Sequence, residues 1–169
     1  MNQSRTKFII ILIVINIALD QITKIIARIY IRKGEIIDVF GDVFQLWNVE
    51  NEGAFLGMGS DMNPTLKIIF LLILPVIVLA YVIYYILNNK ELDRLSLIAF
   101  CCIIGGGIAN VFDRIVFGSV TDFLHLDFGG VFRTGIFNVA DMSVTTGMLL
   151  LLYASFFNKP KTPENSVVD

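Results

Sequence analysis

Residues 68–87 read IIFLLILPVIVLAYVIYYIL, and none of these twenty side chains is charged. The hydrocarbon core of a bilayer requires about 20 predominantly apolar residues per helix. The stretch therefore predicts a membrane-spanning helix. Pro75 lies inside it and can kink the helix, which a membrane tolerates where neighbouring groups satisfy the freed backbone.

Three further stretches are predominantly apolar and long enough to span, and they cover residues 8–30, 95–117 and 136–157. We therefore predict a membrane α-helical fold with four transmembrane helices. The first stretch follows Arg5 and Lys7 and resembles the start of a secretory signal peptide. No small-residue cleavage site follows it, so we expect a retained helix.

The composition agrees with a membrane protein. Hydrophobic residues make up 56% of the chain, charged residues 17%, and the mean hydropathy is +0.75. A soluble domain is about one quarter charged, and a disordered chain is more polar still, so both classes are excluded. The net charge of −2 gives no reason to expect a nucleic-acid partner.

The cysteine and histidine content limits the possible cofactors. Cys101 and Cys102 are adjacent, so they form neither a disulfide framework nor a cysteine-based metal site. His125 is the single histidine, which excludes a site built from several histidines. The sequence therefore gives no sign of a metal site built on cysteine or on several histidines.

Basic residues predict the orientation. Arg and Lys occur before the first predicted span, between the second and third, and after the fourth, which places these regions and both termini in the cytoplasm. The longer loops, 31–66 and 118–135, then face outward. We expect one four-span membrane domain over residues 1–158, followed by a polar cytoplasmic tail at 159–169.

Both outer loops carry strand signals. Residues 36–49 are rich in Val, Ile, Phe and Trp, with a possible turn at Gly41-Asp42. Residues 123–133 alternate apolar and polar side chains around Gly129-Gly130, which is typical of a hairpin. We therefore predict a small strand-rich extracytoplasmic cap.

Charged and amide side chains near the spans form several clusters. A charge at mid-bilayer costs about 2.5–3.5 kcal/mol on insertion scales, so these residues are expected to have a structural or functional role. In the predicted topology they lie near one membrane face, which favours a functional site on the outer side. The members are Asp20, Lys24, Asn110, Asp113, Arg114, Asp122, Asn138 and Asp141, with Asn51 and Gly53 in the first outer loop.

Each cluster also has a purely structural interpretation. Asp20 and Lys24 are four residues apart and can pair within one helix. The glycines at 105–107 can serve helix packing, and Asp122 alone can be a solvated loop residue. Asp141 can interact with the dipole at a helix N-terminus.

Carboxylates are the most abundant reactive groups in these clusters. Two partly desolvated aspartates share one proton, and such a pair can activate water and protonate a leaving amine. The residues alone do not decide between Asp113 and Asp122 as the catalyst, and a Ser-Lys pair with Lys24 is not excluded. A small ion-coupled transporter and a non-catalytic assembly protein remain alternatives.

Four short motifs occur in a characteristic order. They read DQxTK at 20–24, NxGAF at 51–55, GGxxNxxDR at 106–114 with VxDF at 120–123, and FNxAD at 137–141. Together they resemble the motif boxes of the bacterial lipoprotein signal peptidase family, signal peptidase II. This family consists of four-span membrane aspartic endopeptidases. Ala109 departs from the pattern, because the family commonly has glycine there.

The resemblance implies roles for the clustered residues. Asp122 and Asp141 would form the catalytic dyad. Residues that bind substrate or order the site would be Asn51, Gly53, Asn110, Arg114 and Asn138. Structural support would come from Asp20, Lys24 and Asp113. The resemblance also implies that the reaction requires no metal and no organic cofactor.

The resemblance also implies the substrates and the location. The substrates would be diacylglyceryl-modified prolipoproteins, cut before the lipidated cysteine of the lipobox. Membrane lipid would be a further partner, and globomycin would inhibit the enzyme. We expect a monomer in the bacterial cytoplasmic (inner) membrane, with its active site near the outer face.

Overall fold

A computed structural model describes residues 3–54 and 57–157 of the chain. Phe55 of the second motif and the predicted tail at 159–169 lie outside these residues. Within the described residues, four helices are long and apolar enough to cross a membrane, which confirms the predicted fold class. They are α1 (Gln3–Tyr30), α2 (Pro64–Asn88), α3 (Arg94–Phe117) and α4 (Val139–Phe157).

Helix α2 begins four residues before the predicted start at 68, because its N-terminus is capped. The side chain of Asn63 accepts a hydrogen bond from the Thr65 amide at 2.9 Å, and Pro64 occupies the first turn. Within α2, the segment Ile68–Ile73 is π-helical. It directly precedes Pro75, which has no N–H to donate to the preceding turn.

The cap is a four-stranded antiparallel sheet with strand order β1-β2-β3-β4. The strands are β1 (Ile36–Phe40), β2 (Phe44–Asn51), β3 (Val120–Phe128) and β4 (Phe132–Arg133). The central pairing joins the two outer loops across about 70 residues of sequence, with Asn51 opposite Val120. The predicted strand-rich cap is therefore confirmed.

Helix α3 is the most buried of the four helices and packs against the other three. Small residues bring it close to α4. A Cβ placed on Gly106 would collide with the Ala140 carbonyl oxygen, and one on Gly147 would lie 2.6 Å from the Ala99 carbonyl oxygen. The two backbones are in contact, so the middle of α3 lies beside the first turn of α4.

Candidate active site

Asp122 and Asp141 line one cavity of about 200 Å³. Asp122 reaches it because α3 ends at Gly118, whose positive φ of 78° reverses the chain into β3. Asp141 reaches it because the segment before α4 pairs with β3, where the Phe137 amide donates to the Leu124 carbonyl at 2.9 Å.

Asn138 and Asp141 form a reciprocal cap at the start of α4. The Asp141 amide donates to Asn138 Oδ1 at 2.9 Å, and the Asn138 amide donates to Asp141 Oδ2 at 3.2 Å. Because Oδ1 of Asn138 is used as the acceptor, its Nδ2 must point away from the helix. That Nδ2 donates to Asp122 Oδ1 at 2.6 Å, so one side chain contacts both aspartates.

Asn51 contacts Asp122 from the opposite side. Its Oδ1 accepts from the Gly53 amide at 2.8 Å, and its Nδ2 donates to Asp122 Oδ2 at 2.9 Å. Only glycine fits at position 53, because a Cβ there would lie 2.6 Å from the Met58 carbonyl oxygen. The second motif therefore forms a tight loop that directs one amide N–H at the site.

Asn110 contacts Asp141 in the same manner. Its Oδ1 accepts from Lys24 Nζ at 2.8 Å, and its Nδ2 donates to Asp141 Oδ1 at 3.0 Å. Lysine can only donate, which determines the direction of the Asn110 amide. All three site amides thus present an N–H to a carboxylate.

Burial dominates the electrostatics of Asp122, which is only 2% exposed. Loss of hydration raises the pKa of this carboxyl to about 6, and the nearby charge of Asp141 acts in the same direction. The hydrogen bonds from Asn51 and Asn138 oppose the increase in pKa. The site therefore holds a carboxyl group that changes protonation state close to neutral pH.

A buried ionic cluster lies behind the two aspartates. Lys24 Nζ is 2.7 Å from Asp20 and 2.9 Å from Asp113, and all three side chains are fully buried. Asp20 Oδ1 also accepts a hydrogen bond from the backbone amide of Ala140 in α4, at 2.8 Å. The predicted Asp20–Lys24 pairing is present, but Lys24 also joins α1 to α3.

The part of this cluster nearest the sheet was not predicted from the sequence. Arg28 lies 3.3 Å from Asp113 and donates to Thr121 Oγ1 at 2.7 Å. Thr121 and Ser119 in turn donate to Glu50 at 2.9 and 2.5 Å. Arg28 was detectable, because it lies one helical turn after Lys24, whereas nothing in the local pattern marks Glu50.

Arg114 lines the same cavity from α3. One terminal nitrogen donates to the Gly53 carbonyl at 2.5 Å, which connects the second motif to the third. Its Nε is buried and has no hydrogen-bond partner among the described residues. A buried donor of this kind is available for an acceptor on a bound molecule.

Two further cavities adjoin the aspartates. One, of about 310 Å³, is lined by Asn51 and Asp122 together with Glu50, Glu52 and Ser60. The other, of about 490 Å³, is mostly apolar and is lined by Asp141 together with Phe137, Met142, Thr145 and Thr146. Within residues 3–54 and 57–157, no three His, Cys, Asp or Glu side chains are grouped as around a metal ion.

The chain is similar to known membrane enzymes along most of its length. A family model described as signal peptidase (SPase) II matches residues 11–157. The lipoprotein signal peptidase of Borrelia duttonii (strain Ly) is 37% identical, over 96% of this chain and 98% of the relative. That of Borrelia turicatae (strain 91E135) is 39% identical, over 94% and 96%.

Solved structures show the same fold. A bacterial membrane enzyme structure at 2.3 Å resolution superposes with a TM-score of 0.80 and 25% sequence identity, and covers 94% of each chain. Another, at 1.9 Å resolution, has a TM-score of 0.78 and 25% identity, over 90% of this chain and 95% of the other.

Proposed function

The chain belongs to the signal peptidase II family, and on that premise we propose that it removes signal peptides from prolipoproteins as an aspartic endopeptidase. The observation that carries the aspartic mechanism is the arrangement of Asp122 and Asp141. Both line one cavity, and Asn138 donates a hydrogen bond to each of them. The proposed substrates carry a diacylglyceryl-modified cysteine, and the bond before that cysteine is cut.

The proposed reaction uses the two carboxyl groups with one proton between them. The ionised carboxylate takes a proton from water while the water oxygen attacks the carbonyl carbon of the scissile bond. The protonated carboxyl donates its proton to the carbonyl oxygen, which gives a tetrahedral intermediate. When the intermediate collapses, the C–N bond breaks and a proton passes to the amine of the lipidated cysteine. The signal peptide leaves with a new carboxylate.

The hydrogen bonds from the surrounding amides support the roles of one carboxyl group as base and the other as acid. Asp122 accepts hydrogen bonds from the side chains of Asn51 and Asn138. Asp141 accepts hydrogen bonds from the Asn110 side chain and the Asn138 backbone amide. Hydrogen bonds donated to a carboxylate favour its ionised form, whereas burial disfavours it. The balance keeps at least one carboxyl group able to exchange a proton near neutral pH, as general acid–base catalysis requires.

Other site residues are proposed to hold the peptide. The unpaired Nε of Arg114 is available to a substrate carbonyl oxygen, and Arg114 in turn holds the Asn51–Gly53 loop in place. The apolar cavity beside Met142 and Thr146 suits the lipid-modified side of the substrate. The more polar cavity beside Glu52 and Ser60 suits the chain that leaves the membrane.

Further parts of the proposal follow from the family. The protein is a multi-pass membrane protein. We propose that both termini are cytoplasmic, that the site lies at the outer face of the bacterial inner membrane, and that the enzyme acts as a monomer. Membrane lipid would surround the substrate, and globomycin would occupy the cavity that contains Asp122 and Asp141.

The direct test uses purified protein in lipid and a synthetic peptide with a diacylglyceryl-modified lipobox cysteine. Mass spectrometry should detect one cut, before the modified cysteine, and globomycin should suppress it. The same peptide with an unmodified cysteine is the control and should be cut far more slowly. Equal cleavage of both peptides would contradict the proposed substrate. Ion flux across liposomes without cleavage would instead favour the transporter alternative.

A further inference from the structure

A further cavity lies at the end of the helix bundle opposite to the aspartates. It has a volume of about 380 Å³, is open to the surface, and is lined by the start of α1, the loop after α2 and the start of α3. Three of its lining side chains are cationic and none is a carboxylate. The cations are Arg5, Lys90 and Arg94, and the apolar members include Phe8, Leu92 and Leu97.

Contacts within the protein position two of these cations. Arg5 donates to the Asn89 carbonyl at 2.8 Å, which ties α1 to the loop after α2. The Arg94 guanidinium lies 5.6 Å from the centre of the Phe8 ring, so it is placed over α1. The positive charges therefore converge on one cavity instead of spreading over the surface.

Helix stability does not explain the position of Arg94. It is the first residue of α3, where a cation is unfavourable because it faces the positive end of the helix dipole. The helix end itself is already capped by Asp93, whose Oδ1 accepts from the Leu95 and Ser96 amides at 3.0 Å each. An anion in this cavity would thus be held by the basic side chains and not by the helix terminus.

The cavity lies at the depth of a lipid headgroup. Arg94 and Arg114 are 20 residues apart on α3, and at 1.5 Å per residue they are separated by about 30 Å along the helix axis. This equals the thickness of the hydrocarbon core, about 30 Å. With Arg114 at one boundary of the hydrocarbon core, Arg94 lies at the other boundary, where its long side chain can reach the headgroups.

We propose that this cavity binds the phosphate group of an anionic membrane phospholipid. Arg5, Lys90 and Arg94 would hold the phosphate, while Phe8, Leu92 and Leu97 would contact the glycerol and the first acyl carbons. Basic cavities between transmembrane helices on the cytoplasmic side commonly bind such headgroups. The site is separate from the proposed catalytic dyad and does not depend on it.

The test is native mass spectrometry of the full chain in detergent, titrated with dioleoyl phosphatidylglycerol or dioleoyl phosphatidylcholine. The wild type should retain one phosphatidylglycerol more tightly than phosphatidylcholine. Each cation near an anionic headgroup contributes a factor of about 5 in affinity. The double variant Lys90→Gln/Arg94→Gln should therefore bind phosphatidylglycerol about 30-fold more weakly.

Two matched variants control for charge. Arg32→Gln/Lys33→Gln removes two exposed cations at the opposite face, and Lys7→Gln removes an exposed cation of α1 that does not line the cavity. Both should bind phosphatidylglycerol like the wild type. If Lys7→Gln weakens binding as much as each charge removed in Lys90→Gln/Arg94→Gln, the proposal is overturned, because the attraction would then be general surface charge.

A free phosphate ester is the remaining alternative ligand. Glycerol phosphate, added at the same concentrations, should neither remain bound nor displace phosphatidylglycerol. If it binds as tightly as the lipid and with the same loss in Lys90→Gln/Arg94→Gln, the site takes a soluble phosphate and the lipid assignment is wrong. Equal retention of both lipids by the wild type would also overturn the proposal.

Discussion

Each aspartate of the site accepts hydrogen bonds from donors that cannot reverse their direction. The amide groups of Asn51 and Asn138 are oriented by backbone N–H groups, and that of Asn110 by an ammonium group. An asparagine in place of either aspartate would direct an NH₂ group at one of these donors. The environment therefore distinguishes a carboxylate from its amide analogue even where the two have the same size.

At the residue scale, Asp122→Asn and Asp141→Asn should each reduce cleavage of the lipidated peptide by several orders of magnitude. General acid–base steps contribute about 10²- to 10⁴-fold each, and an amide performs neither. The double variant should be little worse than either single variant, because the two groups act as one unit. Single-turnover rates measure this directly.

The matched control is Asp42→Asn, the same substitution at an exposed position of the sheet, which should cleave at the wild-type rate. Substantial cleavage by folded Asp122→Asn or Asp141→Asn protein would refute the dyad. Asp113 would then be the next candidate, although its contacts with Lys24 and Arg28 are those of a supporting residue.

The raised pKa of Asp122 predicts a pH-dependent stability. Its pKa is about 6 in the folded protein against an ordinary value of 3.8, so protonation favours the fold. This contribution is fully present below about pH 4 and is lost as the pH rises through about 6. It amounts to about 3 kcal/mol, at about 1.4 kcal/mol per pKa unit.

Thermal unfolding in detergent between pH 4 and pH 7.5 provides the measurement. The wild type should lose melting temperature over this range relative to Asp122→Asn, which lacks the titrating group. A constant difference in melting temperature between the two proteins across the range would contradict a raised pKa. The comparison needs no substrate, so it is independent of the proposed reaction.

At the scale of elements, the contact between α3 and α4 controls the site. Gly106→Ala should push the first turn of α4 away, because the added Cβ collides with the Ala140 backbone carbonyl. The 3.0 Å hydrogen bond from Asn110 to Asp141 crosses the same contact and should be lost. We expect at least a 10-fold loss of activity together with a lower melting temperature.

Gly107→Ala is the matched control on the neighbouring residue. Its added Cβ would meet only the end of the Leu79 side chain, on the sparsely buried α2, which can move aside. We expect a smaller change in both melting temperature and cleavage rate. Equal damage from the two substitutions would show that backbone contact with α4 is not the sensitive feature.

Local sequence patterns predict most of the helices and strands but not the contacts between distant ones. The four spans and the strand-rich cap were predictable, because apolar runs of sufficient length and Gly-rich turns are local signals. The π-helical turn at Ile68–Ile73 was not predictable, since no residue pattern marks it. Nor was the link from Glu50 to Thr121, because it depends on the pairing of β2 with β3, which are far apart in the chain.

The candidate site was predictable only in part. Polar residues in apolar spans identified Asp20, Lys24, Asn110 and Asp141 individually. The choice of Asp122 over Asp113 came from the family resemblance, since the residue pattern carries no information on which carboxylate lies in a cavity and which is paired with a lysine. That distinction requires the tertiary structure.

At the scale of the whole molecule, the distribution of Lys and Arg predicts that the sheet faces outward and both termini face the cytoplasm. In a background of Cys101→Ala/Cys102→Ala, Asp42→Cys should react with a membrane-impermeant maleimide on intact spheroplasts. Glu91→Cys, in the loop after α2, should react only after the membrane is permeabilised. The opposite labelling pattern would show that the predicted topology is wrong and that the termini face outward.

The ionic cluster around Lys24 has a consequence for the order of assembly during synthesis. The acceptor on Asn110 emerges 86 residues after Lys24, which at ribosomal speed is a delay of about 4–17 s. Until then, the only partner within α1 is Asp20, one helical turn away. The first helix can therefore insert into the bilayer with Asp20 and Lys24 paired, so that their charges cancel. The later helices then add the remaining partners of Lys24.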